Sequence, residues 1–351
     1  MIMRHIAPFA RPCIATAISL VLGLLVTAFA GENPLSVFKI FAVSNFGSLY
    51  DVGMTLSYST PLILTGLSVA IAFKAGLFNI GAEGQLTMGA LAAATVGILF
   101  PNMSHLFALL CAGAASAIAG GLWGSLVGYL KVKRNAHEVI VTIMLNFIAA
   151  GIASYVVIYV LRDPNTQNPQ TLPVAPNFML HPYAFFQDAP VTFALALSIF
   201  TAVALWVLLY RTPTGYEIRA VGENIHACSS AGVNTTRIQI FSMFLAGACA
   251  GLVGVGEVLG RAGCFKLDFS PGYGFTGIAV AFLARGNPLA IIFSALLFGA
   301  LQKGAGDLEI YTQHVTSDFA SILQALIILI VVADGLWEKV FRPYKHMSTP
   351  V

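Results

Sequence analysis

Apolar runs separated by short polar punctuation dominate this chain, and their lengths predict helices, not strands. A hydrocarbon layer of about 30 Å needs about 20 apolar residues per helix. Runs of that order fall at 13–30, 53–73, 85–101, 106–130, 138–161, 190–210, 239–259, 274–285, 288–303 and 317–334, those at 274–285 and 288–303 being short. Two sets of five follow, and an odd number per half inverts the second half relative to the first. A Gly-rich break at Gly76–Gly89 is echoed in composition by another at Pro271–Gly277. The expected fold is all-α: a polytopic membrane protein of about ten transmembrane helices in two five-helix halves, an inverted repeat. It forms a single transmembrane domain over residues 1–351.

The polar connections orient the bundle. With the N-terminus inside, thirteen of the 18 Lys and Arg lie on the cytoplasmic side, with clusters at Lys131–Arg134 and Lys339–Lys345. Lys39, Arg162, Arg261, Lys266 and Lys303 fall outside. This bias predicts cytoplasmic N- and C-termini. At the start, Arg4, a long apolar run and Ala28-Phe29-Ala30 mimic a signal peptide. That run exceeds the usual length of about 7–15 residues, so an uncleaved first span is expected. The longest external connection, 162–189, holds Pro164, Pro169, Pro173, Pro176 and Pro182 and is not expected to be helical throughout.

Composition agrees with lipid as the solvent. Hydrophobic residues make up 58% and charged residues 9%, against roughly a quarter charged in soluble proteins. Basic residues sit at span ends and not in a stripe with aromatics, which excludes nucleic-acid binding. The five cysteines (Cys13, Cys111, Cys228, Cys249, Cys264) are scattered, which argues against a disulfide framework or a metal site. His137-Glu138 lacks the second His of a zincin, and no Ser/His/Asp or Cys/His set converges on one face. An enzyme is not expected.

Several motifs carry polar groups into the apolar pattern. In Phe73–Ala90, Asn79 and Glu83 lie among Gly76, Gly81, Gly84 and Gly89. The segment reads as a tight turn with Glu83 solvated or paired to Lys74, as a buried broken helix, or as a substrate contact. Glu138, Thr142 and Asn146 recur every four residues and share one helical face. Such a stripe either lines a pathway or bonds neighbouring helices. Gly120, Gly124 and Gly128, with Gly247 and Gly251, have the spacing of close helix packing. The polar connection 211–238 is long, carries Glu217, Arg219, Glu223 and Arg237, and suits a groove in a partner; the alternative is a solvated linker. No GxxxxGK[ST] loop occurs, so nucleotide energy would come from another subunit.

Four stretches together resemble the inner-membrane permeases of bacterial ABC importers of the ribose/branched-chain-amino-acid class, most closely the nucleoside/simple-sugar subgroup. They are Gly76-Leu-Phe-Asn-Ile-Gly-Ala-Glu-Gly-Gln85, Glu138-Val-Ile-Val-Thr-Ile-Met-Leu-Asn146, Gly215-Tyr-Glu-Ile-Arg-Ala-Val-Gly-Glu-Asn224 and Gly274–Pro288, within a similarity covering about residues 50–335. The resemblance implies a multi-pass protein of the bacterial cytoplasmic membrane, embedded in lipid. It implies a cytoplasmic ABC ATPase that binds ATP and Mg (with no cofactor in this chain), a second homologous permease and an extracytoplasmic substrate-binding lipoprotein. The loop matching 214–236 is the family's coupling segment, which carries ATPase contact to Gly215, Glu217, Arg219, Gly222, Glu223 and Asn224. Cys228-Ser229-Ser230 departs from the Ala-Arg-Tyr-type residues of relatives.

The expected activity is inward passage of nucleosides by alternating access. Asn79, Glu83, Glu138, Thr142 and Asn146 are candidate hydrogen-bonding groups of the pathway, and Phe275 and Phe282 candidate stacking groups. Ribose-like sugars or branched-chain amino acids are the alternative cargoes. An ion-coupled transporter would need midplane carboxylates in both halves, and the second half offers only Glu257.

Overall fold

Several helices begin where a side chain closes the first turn. A computed structural model describes residues 31–312 and 318–332, with Val21, Leu25, 27–29 and Thr316. Most of the expected first span, 13–30, and the basic run Lys339–Lys345 lie outside these residues. Asn33 caps α1 (Pro34–Phe46), accepting from the Leu35 amide at 2.9 Å, and Ser48 caps α2 (Leu49–Lys74), accepting from Asp51 at 3.1 Å. Then come α3 (Ala82–Leu99), α4 (His105–Arg134) and α5 (Glu138–Tyr155), the last extended by a π-turn at Val156–Val160. Thr192 caps α6 (Phe193–Arg211). Two short helices follow, α7 (Pro213–Glu223) and α8 (Ile225–Ser230). Asn234 caps α9 (Thr235–Gly251), which runs on into π-helical Val255–Ala262. The chain closes with α10 (Tyr273–Leu283), α11 (Pro288–Tyr311) and α12 (Asp318–Val332).

The all-helical expectation holds among the described residues, and six helices are long and apolar enough to cross a membrane. α1 was not anticipated: it is only 13 residues long and lies in what reads as an external connection. α11 runs on to Tyr311, past the expected end at 303. Lys303, expected on the outer side, stands beside Asp51 at the end of α2 opposite Lys74. Its side chain is 5% exposed, lies within α11, and is ion-paired with Asp51 at 3.0 Å and Asp307 at 2.9 Å. Ser44 of α1 also bonds Asp307, so the same cluster pins the short helix. The connection 162–189 is irregular, as expected, with only 3-10 turns at Pro176–Phe178 and Ala184–Phe186. It packs against the bundle: Phe178 is fully buried, and the Val174 amide donates to the Gly263 carbonyl at 2.8 Å.

α2 is the axis of the bundle, buried along most of its length and touched by helices of both halves. Beside it, α4 and α9 approach until their backbones meet. A Cβ on Gly247 would lie 2.1 Å from the Gly120 carbonyl oxygen, and one on Gly124 would lie 2.3 Å from that of Met243. The glycine spacing read from the sequence is thus one interface, with α4 and α9 supplying its two sides. Gly151 of α5, by contrast, has nothing within 4 Å of an added Cβ. Gly247→Val is expected to destabilise the purified protein by about 1–3 kcal/mol, the usual cost of overpacking. Gly151→Ala should leave thermal unfolding in detergent unchanged.

Candidate functional site

The first break begins where α2 stops. Gly76 takes φ +73, a conformation that side chains disfavour, and the chain turns back along α2 as non-helical backbone. Asn79 is fully buried there and donates to Ser68 Oγ at 3.0 Å and Gln85 Oε1 at 2.9 Å, while its own oxygen accepts from the Gly81 amide at 3.0 Å. Asn146 reaches across from α5: Oδ1 accepts from Gly84 N at 2.8 Å and Nδ2 donates to the Ile80 carbonyl at 3.0 Å. Thr142 bonds its own helix at Glu138 O and packs on Gly81. These side chains replace the hydrogen bonds that the interrupted helix gives up, as backbone inside a membrane protein requires.

The second break meets the first. Residues 263–272 descend as irregular chain to the start of α10, where the Glu83 carboxylate accepts from the Gly274 amide at 2.7 Å. A Cβ on Gly274 would lie 2.3 Å from Glu83 N, so only glycine lets the two backbones approach this closely. Of the readings open for Glu83, the ion pair with Lys74 gives way to this contact between the two halves. Ser270 Oγ accepts from the amides of Gly272 and Tyr273, at 3.2 Å and 3.0 Å, which closes the turn.

A wide cavity of about 640 Å³ opens at the end of the bundle that carries Lys74, lined by Phe73, Glu138, Tyr210, Tyr216, Arg219 and Glu223 among others. Glu138 stands at the first turn of α5, 2.7 Å from Lys131, and so belongs to this mouth and not to the stripe's inner positions. Phe282 packs edge-on against Phe73, with ring centroids 5.6 Å apart, and lies near Phe78. Phe275 is half exposed on α10. The structure therefore gathers Asn79, Glu83, Thr142 and Asn146 around the first break, and leaves Glu138, Phe275 and Phe282 outside that group.

Connection 211–238 is helical where the sequence left a loop. Thr212 caps α7, with its hydroxyl oxygen accepting from Gly215 N at 3.1 Å, and Asn224 ends α7 while capping α8. Gly215 seats α7 on α6: an added Cβ would lie 1.9 Å from the Leu208 carbonyl oxygen. Gly222 seats it on the first break, where a Cβ would lie 2.2 Å from the Lys74 carbonyl oxygen. The Arg219 guanidinium lies over the Tyr210 ring at 5.1 Å. These three residues face inward. Glu217 is half-buried, and the outer face carries Glu223, Asn224, Ile225, His226, Ser229 and Ser230.

Sequence reasoning missed two charged clusters inside the bundle. One is Lys303 with its two carboxylates; the i,i+4 spacing of Lys303 and Asp307 was its visible signal. In the other, Arg261 lies 3.7 Å from Glu257 and over the Tyr58 ring at 5.0 Å, on the π-helical turn of α9. Among the described residues no group of three or more His, Cys, Asp or Glu could hold a metal ion, and Cys111, Cys228, Cys249 and Cys264 are free.

Long apolar helices, two breaks joined inside them and a helical insert resting on one break define a multi-pass membrane permease. Residues 52–332 match the family described as branched-chain amino acid transport system / permease component, and the chain belongs to that family. It is 37% identical over 325 residues to the guanosine ABC transporter permease protein NupP of Bacillus subtilis, covering 92% of each chain. It is 32% identical over 334 residues to the nucleoside ABC transporter permease protein NupB of Lactococcus lactis, covering 93% of this chain and 91% of that one. Against the glucose ABC transporter permease protein TsgB13 of Haloferax volcanii it is 30% identical over 341 residues, covering 94% and 89%. The chain is thus a transport subunit of the cytoplasmic membrane.

The hydrogen-bond pattern separates the roles of two stripe residues. Asn146→Ala leaves the Gly84 amide and the Ile80 carbonyl without partners and should destabilise the protein by about 1–3 kcal/mol. Glu138→Gln loosens a partly exposed ion pair and should cost less than about 1 kcal/mol. Thermal unfolding of the two variants in the same detergent checks the order.

Proposed function

We propose that this chain is the permease subunit of an ATP-driven importer that moves nucleosides inward by alternating access. The observation that carries the cargo is the relationship to permeases named for guanosine and for nucleosides at 37% and 32% identity, each along nearly its whole length. Exposed Glu223, Asn224 and His226 on α7 and α8 form the face offered to a cytoplasmic ABC ATPase, where ATP and Mg would bind. Gly215, Arg219 and Gly222 support that face from behind, and Glu217 lies at its edge. A second homologous permease and an extracytoplasmic binding lipoprotein complete the complex.

The crossing count under this reading is ten, with both termini cytoplasmic. α10 has 11 residues, about 16 Å of helix, roughly half of a hydrocarbon layer of about 30 Å. The irregular segment 263–272 supplies the rest of that crossing. Connection 162–189 then forms the external loop and 211–238 the cytoplasmic coupling element. Asn79, Thr142 and Asn146 act on the pathway by holding the first break in shape, and Glu83 by tying it to the second half.

A sugar permease is the second reading, favoured by the 30% identity to the glucose permease. Uptake of labelled guanosine and of labelled glucose, in cells lacking this chain and in cells with it restored, decides between them. Guanosine uptake should fall on deletion and return on restoration, with glucose uptake unmoved. The reverse pattern would replace the nucleoside reading with the sugar one.

A further inference from the structure

Arg261 sits at the π-helical end of α9, and two contacts show how far its charge reaches into the bundle. The guanidinium lies over the Tyr58 ring, with Cζ 5.0 Å from the centroid. Tyr58 stands nine residues from the Leu49 end of α2, about 13 Å along a helix. The same guanidinium reaches the hydroxyl of Tyr273, which is buried at the start of α10. One turn further on, Gly277 packs on Thr65, nine residues from Lys74, and just past α10 Gly286 packs on Lys74 itself. α10 therefore runs from beside the middle of α2 to its Lys74 end, and the guanidinium is held near the middle of the bundle.

These contacts hold the guanidinium without using it up. Glu257, buried one turn earlier, balances its charge, but the carboxylate oxygen lies 3.7 Å from the guanidinium nitrogen, farther than a hydrogen bond. A guanidinium has five N–H donors in a planar fork, so a parallel pair is left for a ligand. A third of the Arg261 side chain is exposed. At this depth an exposed charge faces a wet path or protein, because lipid gives it no partner. The cavity behind it, walled by Ser57, Thr60, Pro61 and Glu257 among others, measures only about 20 Å³, room for one water. A larger ligand therefore meets Arg261 on its exposed side. The proposed importer pairs two permeases, so one chain supplies one wall of the path and not a closed pocket.

We propose that Arg261 reads the base of the cargo, donating two parallel N–H bonds to O6 and N7 of a 6-oxopurine nucleoside. A guanidinium held over an aromatic ring presents its fork in a fixed plane, and O6 with N7 is the acceptor pair that matches it. Adenine carries an amino donor where guanine has O6, so adenosine sets donor against donor. The permease thereby favours guanosine over adenosine. The cargo class rests on the proposed nucleoside import; the choice among bases rests on Arg261.

The test measures uptake of labelled guanosine and labelled adenosine at low concentration in cells with the assembled transporter and no other nucleoside uptake. Rates are normalised to the amount of this chain in the membrane. The wild type should take up guanosine about tenfold or more faster than adenosine, the scale on which one bidentate pair discriminates. As a competitor of guanosine uptake, 7-deazaguanosine, which lacks the N7 acceptor, should be about tenfold weaker than guanosine, the scale of a hydrogen bond to a charged group. Arg261→Gln replaces the fork by an amide that pairs with N7 and the 6-amino group of adenine, so it should reverse the preference. Glu257→Gln in the same chain removes the buried carboxylate that Arg261→Gln leaves unpaired, and the double variant should show the same reversal. A wild type indifferent to the base, 7-deazaguanosine competing as well as guanosine, or variants that lose both nucleosides alike would overturn Arg261 as the reader and leave the nucleoside permease intact. A wild type that moves neither nucleoside would overturn the nucleoside reading and this inference with it.

Discussion

Backbone groups inside a bilayer must find partners within the protein, and this chain interrupts its helices twice where water cannot supply them. Most of its polar architecture follows from that constraint. Asn79 and Gln85 bond each other at the first break, Asn146 bonds its backbone, and the Glu83 carboxylate accepts from the Gly274 amide of α10. Glycine appears where the breaks touch other backbone: Gly274 at Glu83, and Gly222 at Lys74. One set of contacts therefore joins the two halves of the bundle and joins α7 to the first break.

The same arrangement separates support from surface. A residue with both hydrogen-bonding ends engaged by backbone, as Asn146 has, holds shape. The inner part of the polar stripe of α5 therefore supports the break. Arg261 over Tyr58, with Glu257 nearby, gives the opposite half a charged cluster on a π-helical turn, a distortion common at functional places.

The sequence was most legible where one periodicity dominates. Among the described residues, helix positions followed the apolar runs to within a few residues except at the far end of α11, and the glycine runs of α4 and α9 were readable as packing because close approach leaves few other residue choices. The two Gly-rich breaks were visible as breaks, yet their meeting was not, because Glu83 and Gly274 are 191 positions apart and no local pattern encodes their contact. A charge at the end of an apolar run, as at Lys303, reads as an exit into water, and nothing local shows that partners on α2 and α11 bury it. α1 escaped notice through its shortness. In 211–238, mixed charge suggested a surface loop, while buried Ile218 and Val221 and the caps at Thr212 and Asn224 make it helix.

Under the proposed function, ATP-driven motion enters the membrane region through α7, which rests on the first break at Gly222. The most direct test is the ratio of guanosine imported to ATP hydrolysed in reconstituted vesicles, comparing wild type with Gly222→Ala. The account predicts that hydrolysis continues while import per ATP falls, because an added methyl displaces α7 from the Lys74 carbonyl. An unchanged ratio, with the variant present at wild-type levels, would contradict it.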